Sequence, residues 1–243
     1  MKYLSILLIS ILFIGCSSDS DSSGAEQSSG KGGSLARFTI LGDYLYTVDE
    51  NNLNVFSIND VNNPVFLNEV FIGFRIETLF AYNNVLFVGS ESGMFIYSLE
   101  NPEVPKKESS VEHFTSCDPV VTDGKYAYVS LHSNSNCGNN INMLEIYNVE
   151  DIQNPMLVEQ RNMASPKGLG LYNDYLILCD DEVKIFDVSD PEKMTFSKSI
   201  DISGFDVIIQ NNHLIVVGKN SLSQYTLDPT NIENITHLST IDY

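Results

Sequence analysis

The sequence predicts an all-β protein built as a five-bladed β-propeller of four-stranded antiparallel blades. Three observations carry that prediction. A turn-forming pair recurs five times between apolar runs, at Gly42-Asp43, Asn83-Asn84, Asp123-Gly124, Asn173-Asp174 and Asn211-Asn212. An aromatic recurs in register downstream of each pair, at Phe56, Tyr97, Tyr147, Phe186 and Tyr225, within one pattern of apolar, x, x, aromatic, x, aliphatic. An Asx-Pro pair then stops each copy, at Asn63-Pro64, Asn101-Pro102, Asn154-Pro155, Asp190-Pro191 and Asp228-Pro229. A period of about 42 residues without helical periodicity is the pattern of repeated β-sheet units.

The elements follow in chain order. Lys2 precedes an apolar run from Leu4 to Ile14, interrupted only by Ser5 and Ser10. That length suits a signal-peptide core and is too short for a permanent membrane span. The run ends at Phe13-Ile14-Gly15-Cys16, which resembles the lipobox of bacterial lipoproteins, with Phe13 where leucine is usual. The resemblance implies removal of residues 1–15 and a lipidated Cys16, hence a partner membrane reached through an N-terminal lipid anchor. Ser17 to Gly33 holds seven Ser, four Gly and no aromatic, too little apolar surface to offset its ordering entropy. Residues 16–34 therefore read as a tether that spans about 22 Å as a flexible coil. Asp19 and Asp21 resemble the acidic export tags of some Bacteroidetes lipoproteins, which implies the bacterial outer membrane and a surface-facing position; a solubilising role is the alternative.

Residues 35–243 hold the five copies. Each copy begins with an inner strand, Phe38 to Leu41 in the first, and Gly or Asx in the turn supplies the positive φ that a two-residue hairpin needs. The second strands read Leu45-Tyr46-Thr47-Val48, Leu86-Phe87-Val88, Tyr126-Ala127-Tyr128-Val129, Leu176-Ile177-Leu178-Cys179 and Leu214-Ile215-Val216-Val217. The third strands carry the aromatics. Proline cannot donate to a ladder, and the Asx side chain bonds the turn backbone, so the chain leaves the sheet there. A more polar fourth strand closes each unit, as in Val65 to Val70, Met156 to Arg161 and Ile235 to Ile241. One blade cannot cover both faces of its sheet, whereas neighbours around a ring cover one another and closure protects the terminal blades.

The run Ile185-Phe186-Asp187-Val188-Ser189-Asp190-Pro191, with its preceding hydrophobic strand, resembles the LVIVD repeat of bacterial and archaeal surface proteins, Bacteroidetes lipoproteins among them. The resemblance covers residues 35–243 and loosens in the fifth copy at Gln224. It implies a cell-surface β-propeller and no common catalytic activity. With no Trp in the chain, the WD40 pattern is disfavoured.

The third copy is longer because Ser130 to Asn142 bulge between its second and third strands. Antiparallel pairing brings Cys137 in this insert beside Cys117 at the start of the inner strand, and an exported protein can oxidise the pair. A Cys117–Cys137 disulfide is therefore expected, worth roughly 3 kcal/mol for a loop of about twenty residues. Cys179 takes the place of Val48, Gly89, Val129 and Val217 and reads as a small core residue. No zinc-ligand spacing links the four His, Asp180-Asp181-Glu182 lacks a calcium-loop spacing, and no metal or other cofactor is expected.

The inner strands of a propeller begin at one mouth of the central channel. Counting back five and six residues from each turn places Arg37, Asp118 and Asp206, with Glu77 and Lys167, at that mouth, joined by nearby Arg75 and by His132 and Asn136 of the insert. Paired carboxylates can hold a cation or act as an acid/base pair, and rim charges also simply solvate. Lys+Arg 13 against Asp+Glu 32, a net charge of −19, excludes nucleic-acid phosphates as a partner. Hydrophobics at 43% and aromatics at 10% exclude wholesale disorder. Neither Gly-x-Ser-x-Gly nor His-Glu-x-x-His occurs. The expected function is a tethered module that binds a protein or glycan. The alternatives are a glycan-active hydrolase or lyase using Asp118, Asp206 or Glu77, and a structural subunit of an envelope complex.

Overall fold

The computed structural model of the protein describes residues 33–112, 119–132 and 141–243. The first blade comprises β1 (Phe38–Leu41), β2 (Tyr44–Val48), β3 (Asn52–Ser57) and β4 (Val65–Phe71). The second comprises β5 (Ile76–Tyr82), β6 (Val85–Ser90), β7 (Gly93–Ser98) and β8 (Lys106–Glu112). The third has β9 (Val120–Thr122), β10 (Tyr126–Leu131), β11 (Met143–Asn148) and β12 (Met156–Asn162). The fourth has β13 (Leu169–Tyr172), β14 (Tyr175–Cys179), β15 (Val183–Asp187) and β16 (Thr195–Ile200), with a single 3-10 turn at Pro191–Lys193. The fifth has β17 (Asp206–Gln210), β18 (His213–Val217), β19 (Ser221–Leu227) and β20 (Ile235–Asp242). Five four-stranded antiparallel sheets result, each paired in sequence order, so the protein is the expected five-bladed propeller.

The inner hairpins turn where the sequence places Gly or Asn at positive φ: Gly42 at 57°, Asn83 at 49°, Asn173 at 51° and Asn211 at 53°. The third blade departs by one residue. Val120 pairs with Val129 and the Asp123 amide donates to Tyr126 O, so Gly124-Lys125 forms the turn, with Gly124 at φ 95°. Asp123 stands before the turn, and its Oδ1 accepts the Lys125 and Tyr126 amides at 2.8 and 2.7 Å. The correction propagates. Ser130, not Val129, is the counterpart of Cys179, and Pro119, not Asp118, is the counterpart of Arg37 and Asp206.

The third-to-fourth-strand turns open at the expected Asx-Pro pair in the second, fourth and fifth blades, and at an aspartate three residues before it in the first and third. The carbonyls of Asp60, Asn101, Asp151, Asp190 and Asp228 each accept an amide three residues on. The side chains of Asp60, Asn101, Asp151 and Asp228 also accept the amide two residues on. Asp60 and Asp151 are thus the counterparts of Asn101, and Asn63-Pro64 and Asn154-Pro155 come after the turn instead of opening it. In all five blades the pairing of the third and fourth strands slips by one residue immediately before the aromatic. Such a bulge raises local twist and re-aims the side chain.

Four cores join neighbouring blades: first to second, second to third, third to fourth, and fourth to fifth. Tyr97, Tyr147, Phe186 and Tyr225 each enter the core shared with the preceding blade. Phe56, the same residue of the first blade, belongs to none of them and is half-buried. The second strand repeats the contrast: Leu86, Ala127, Leu176 and Leu214 are fully buried, whereas Leu45 is half-buried. On the opposite faces Ile177 and Val183 of the fourth blade are fully buried, and their fifth-blade counterparts Ile215 and Leu222 are half-buried. Closure was expected to cover both terminal blades. Among the described residues every sheet is drawn from one continuous stretch of chain, no exchanged strand ties the fifth blade to the first, and a seam remains between them.

Valine at position 173 would place a β-branched side chain in the left-handed region. Asn173→Val should lower the free energy of unfolding by about 1–2 kcal/mol, and Asn173→Gly should leave it within about 1 kcal/mol, as read from urea midpoints.

Candidate functional site

The free edges of the five inner strands surround a central cavity of about 800 Å³, within the size range of small-molecule sites. At the hairpin end the wall is lined by Asn83, Asn173, Asn211, Asn212 and Asp123 beside Tyr82 and Tyr172. Tyr172 Oη donates to Asn212 Oδ1 at 3.0 Å. The middle is apolar, with Leu79, Val121, Leu171 and Val207. The wall therefore offers asparagines and the Asp123 carboxylate at one end and apolar contact within.

The other end, where the inner strands begin, is crossed by the segment that leads into β1. Ala36 O accepts the Leu79 amide of the second blade at 2.8 Å. Two residues earlier, Ser34 is buried against the fourth and fifth blades: its Oγ donates to Asp206 Oδ1 at 3.1 Å and accepts the Leu169 amide at 2.8 Å. The Leu35 amide donates to Asp206 Oδ2 at 3.3 Å, and the Val207 amide to Oδ1 at 2.9 Å. The fit has no slack. A Cβ on Gly33 would come within 2.1 Å of one carboxylate oxygen, and a Cβ on Gly168 within 2.2 Å of the other.

Burial raises the Asp206 carboxyl to about 6, against the partial compensation of these hydrogen bonds. Desolvation of the ionised form thus outweighs the hydrogen bonds from Ser34, Leu35 and Val207. The neighbouring Cys179 thiol is pushed up to about 12, chiefly by burial and then by the Asp206 charge, with Lys167 opposing. Cys179 is therefore an inert core thiol, as the sequence implied.

The remaining mouth residues are spread out. Arg37 is exposed and its Nη2 donates to Ile76 O at 3.1 Å. Arg75 is exposed and ion-paired to Glu91, and Glu77 is half-buried on the same strand edge of the second blade. Lys167 is half-buried, its amide donating to Cys179 O at 2.8 Å. His132 follows β10 and is half-buried. Asp118, Asn136, the expected Cys117–Cys137 disulfide and the lipidation site Cys16 lie outside the described residues. Among the described residues, Asp206 and Lys167 stand at this end close enough for both charges to act on the Cys179 thiol.

Asp180 has a structural task. It is buried, accepts the Ala164 amide at 3.2 Å and the Ser165 amide, and pairs with Lys184 at 2.7 Å, so it fastens the link between the third and fourth blades. Sequence reasoning missed Ser34, because composition assigned it to the tether and a serine there carries no local sign of burial. The facing glycines Gly33 and Gly168 were the only hint.

No family model matches the chain, and no curated protein matches it. Solved structures do. The periplasmic gluconolactonase PpgL of Pseudomonas aeruginosa superposes with TM-score 0.62 at 14% identity, over 83% of this chain and 68% of that one. A functionally unknown protein from Desulfotomaculum acetoxidans gives 0.68 at 7% identity, over 86% and 68%. A protein from Lactobacillus plantarum gives 0.67 at 13%, over 82% and 67%. At such identities the likeness is one of fold, and this chain spans about two thirds of each neighbour.

The raised Asp206 carboxyl sets a pH dependence with a definite sign. Between the unfolded value of 3.8 and about 6, the folded protein holds a proton that the unfolded chain has lost. Stability from this residue is therefore full at the acid end and is lost as pH rises through about 6, by up to about 3 kcal/mol. Denaturant titrations across that window should show the loss in wild type and its absence in Asp206→Asn.

Proposed function

We propose that the protein is an exported β-propeller lipoprotein, anchored to the bacterial outer membrane through Cys16, that works as a binding module. The support for export and anchoring is the N-terminal sequence itself: Lys2, the apolar run to Ile14 and Gly15-Cys16. The repeat pattern around Ile185 to Pro191 supports a relation to LVIVD surface propellers.

The observation that carries the binding reading is the amide-rich wall of the central cavity, where Asp123 is the one acidic residue among the described lining. Amides at the rim with tyrosines beside them and apolar contact inside suit an uncharged, hydroxyl-bearing ligand such as an oligosaccharide, which has both polar and apolar faces. Access is from the hairpin end, because Gly33 to Ala36 occupies the other. The Asp206 carboxylate at the channel start has its acceptors taken by Ser34, Leu35 and Val207.

A hydrolase or lyase is the second reading, favoured by one observation. A carboxyl group at about 6 is suited to proton transfer near neutral pH. It would need the crossing segment to move aside before Asp206 met a substrate. The gluconolactonase among the solved structures shares the fold at 14% identity.

Two outcomes are expected. Palmitate fed to the native host should label the full-length chain and leave a Cys16→Ser variant unlabelled. In a panel of soluble oligosaccharides and peptides read by calorimetry, a ligand that binds should lose about tenfold in affinity, ~1.4 kcal/mol, on Asn212→Ala, with no turnover in either protein. Turnover abolished by Asp206→Asn would establish the enzyme reading instead.

A further inference from the structure

We propose that the seam between the fifth and first blades is a joint between copies of this chain, in which the first blade of one copy seats on the fifth blade of another. The chain contains four worked examples of such a joint. In each, one blade presents its aromatic and a second-strand apolar residue, as in Phe186 with Leu176, to the preceding blade's opposite face, as in Tyr128 with Ile146. The first blade presents the same set outward: Ile40, Leu45 and Phe56, opposed across β1, β2 and β3. Leu45 and Phe56 are half-buried where their counterparts in the other blades are buried.

The matching receiver is on the far side of the seam. The outer face of the fifth blade carries Ile208 with Ile215, and Val217 with Leu222, paired across β17, β18 and β19. Their first-blade counterparts Tyr46, Val48 and Leu53 face the second blade and are buried. The two faces are thus a donor and a receiver of one kind of joint; among the described residues no core joins them within one molecule, and a second copy offers each face the partner it lacks.

The contact is heterologous: different patches meet, so joining one pair leaves a free donor at one end and a free receiver at the other. Head-to-tail chains follow, which stay open wherever the rotation from copy to copy does not close a ring. The net charge of −19 on each copy opposes this association, so added salt should strengthen it by screening, the reverse of what an ion-paired contact would do.

The test is analytical ultracentrifugation of the exported chain over a wide concentration range, with Leu45→Lys spoiling the donor face and Ile215→Lys the receiver. Wild type is expected to form a concentration-dependent ladder that lengthens with salt. Each variant alone should lose every species above monomer. An equimolar mixture should form one heterodimer and stop there, because the Ile215→Lys copy still donates and the Leu45→Lys copy still receives. If either lysine prevents folding, as judged by circular dichroism, Thr47→Lys and Gln224→Lys replace them on the same faces. Wild type that stays monomeric throughout overturns the proposal. So does a ladder that survives in both variants, and so does a mixture that behaves as its two components do apart.

Discussion

A four-stranded sheet has two faces and, alone, can shield neither from water. Everything else in this protein depends on how neighbouring sheets solve that problem for one another. Burying a side chain such as Leu86 or Leu176 stabilises by roughly 1.5–3 kcal/mol, and nearly all such residues lie between blades rather than within one. Stability in such an array is the sum of unit and nearest-neighbour contributions. The bulge before each aromatic belongs to the same solution, since it turns the ring out of its own sheet and into the next.

The inner end of the channel is governed by a different balance. Asp206 accepts hydrogen bonds from Ser34, Leu35 and Val207, yet its carboxyl stands at about 6, so removal from water costs the ionised form more than those bonds return. Gly33 and Gly168 make the arrangement sterically feasible. The segment before β1 is thereby attached to the fourth and fifth blades, a tie that the sheets of the described residues do not themselves provide.

Much of the fold was legible because it was written in periodic, local chemistry. Gly42, Asn83, Asn173 and Asn211 announce their turns by tolerance of positive φ, and Phe56 to Tyr225 mark one strand per blade. What failed was register where two residues could each play the part. Asp123-Gly124 looked like a turn pair, but the Asp123 side chain caps the turn from outside it. Asn63-Pro64 looked like a strand stop, but Asp60 had already made the turn. The candidate site was less legible, because its parts are brought together over distance: Ser34 and Asp206 are 172 residues apart. The seam was invisible for the same reason, since Leu45 and Leu176 are identical in type and differ only in having a neighbour.

The crossing segment also determines where mechanical load would enter the molecule. Gly33 emerges beside Asp206, so tension applied from the N-terminal side falls first on a few short-range bonds in the interior and not on a β-ladder. Those bonds would rupture one after another, as a zip opens, before β1 could be stripped from its sheet. A propeller held this way yields at its axle while its blades stay folded.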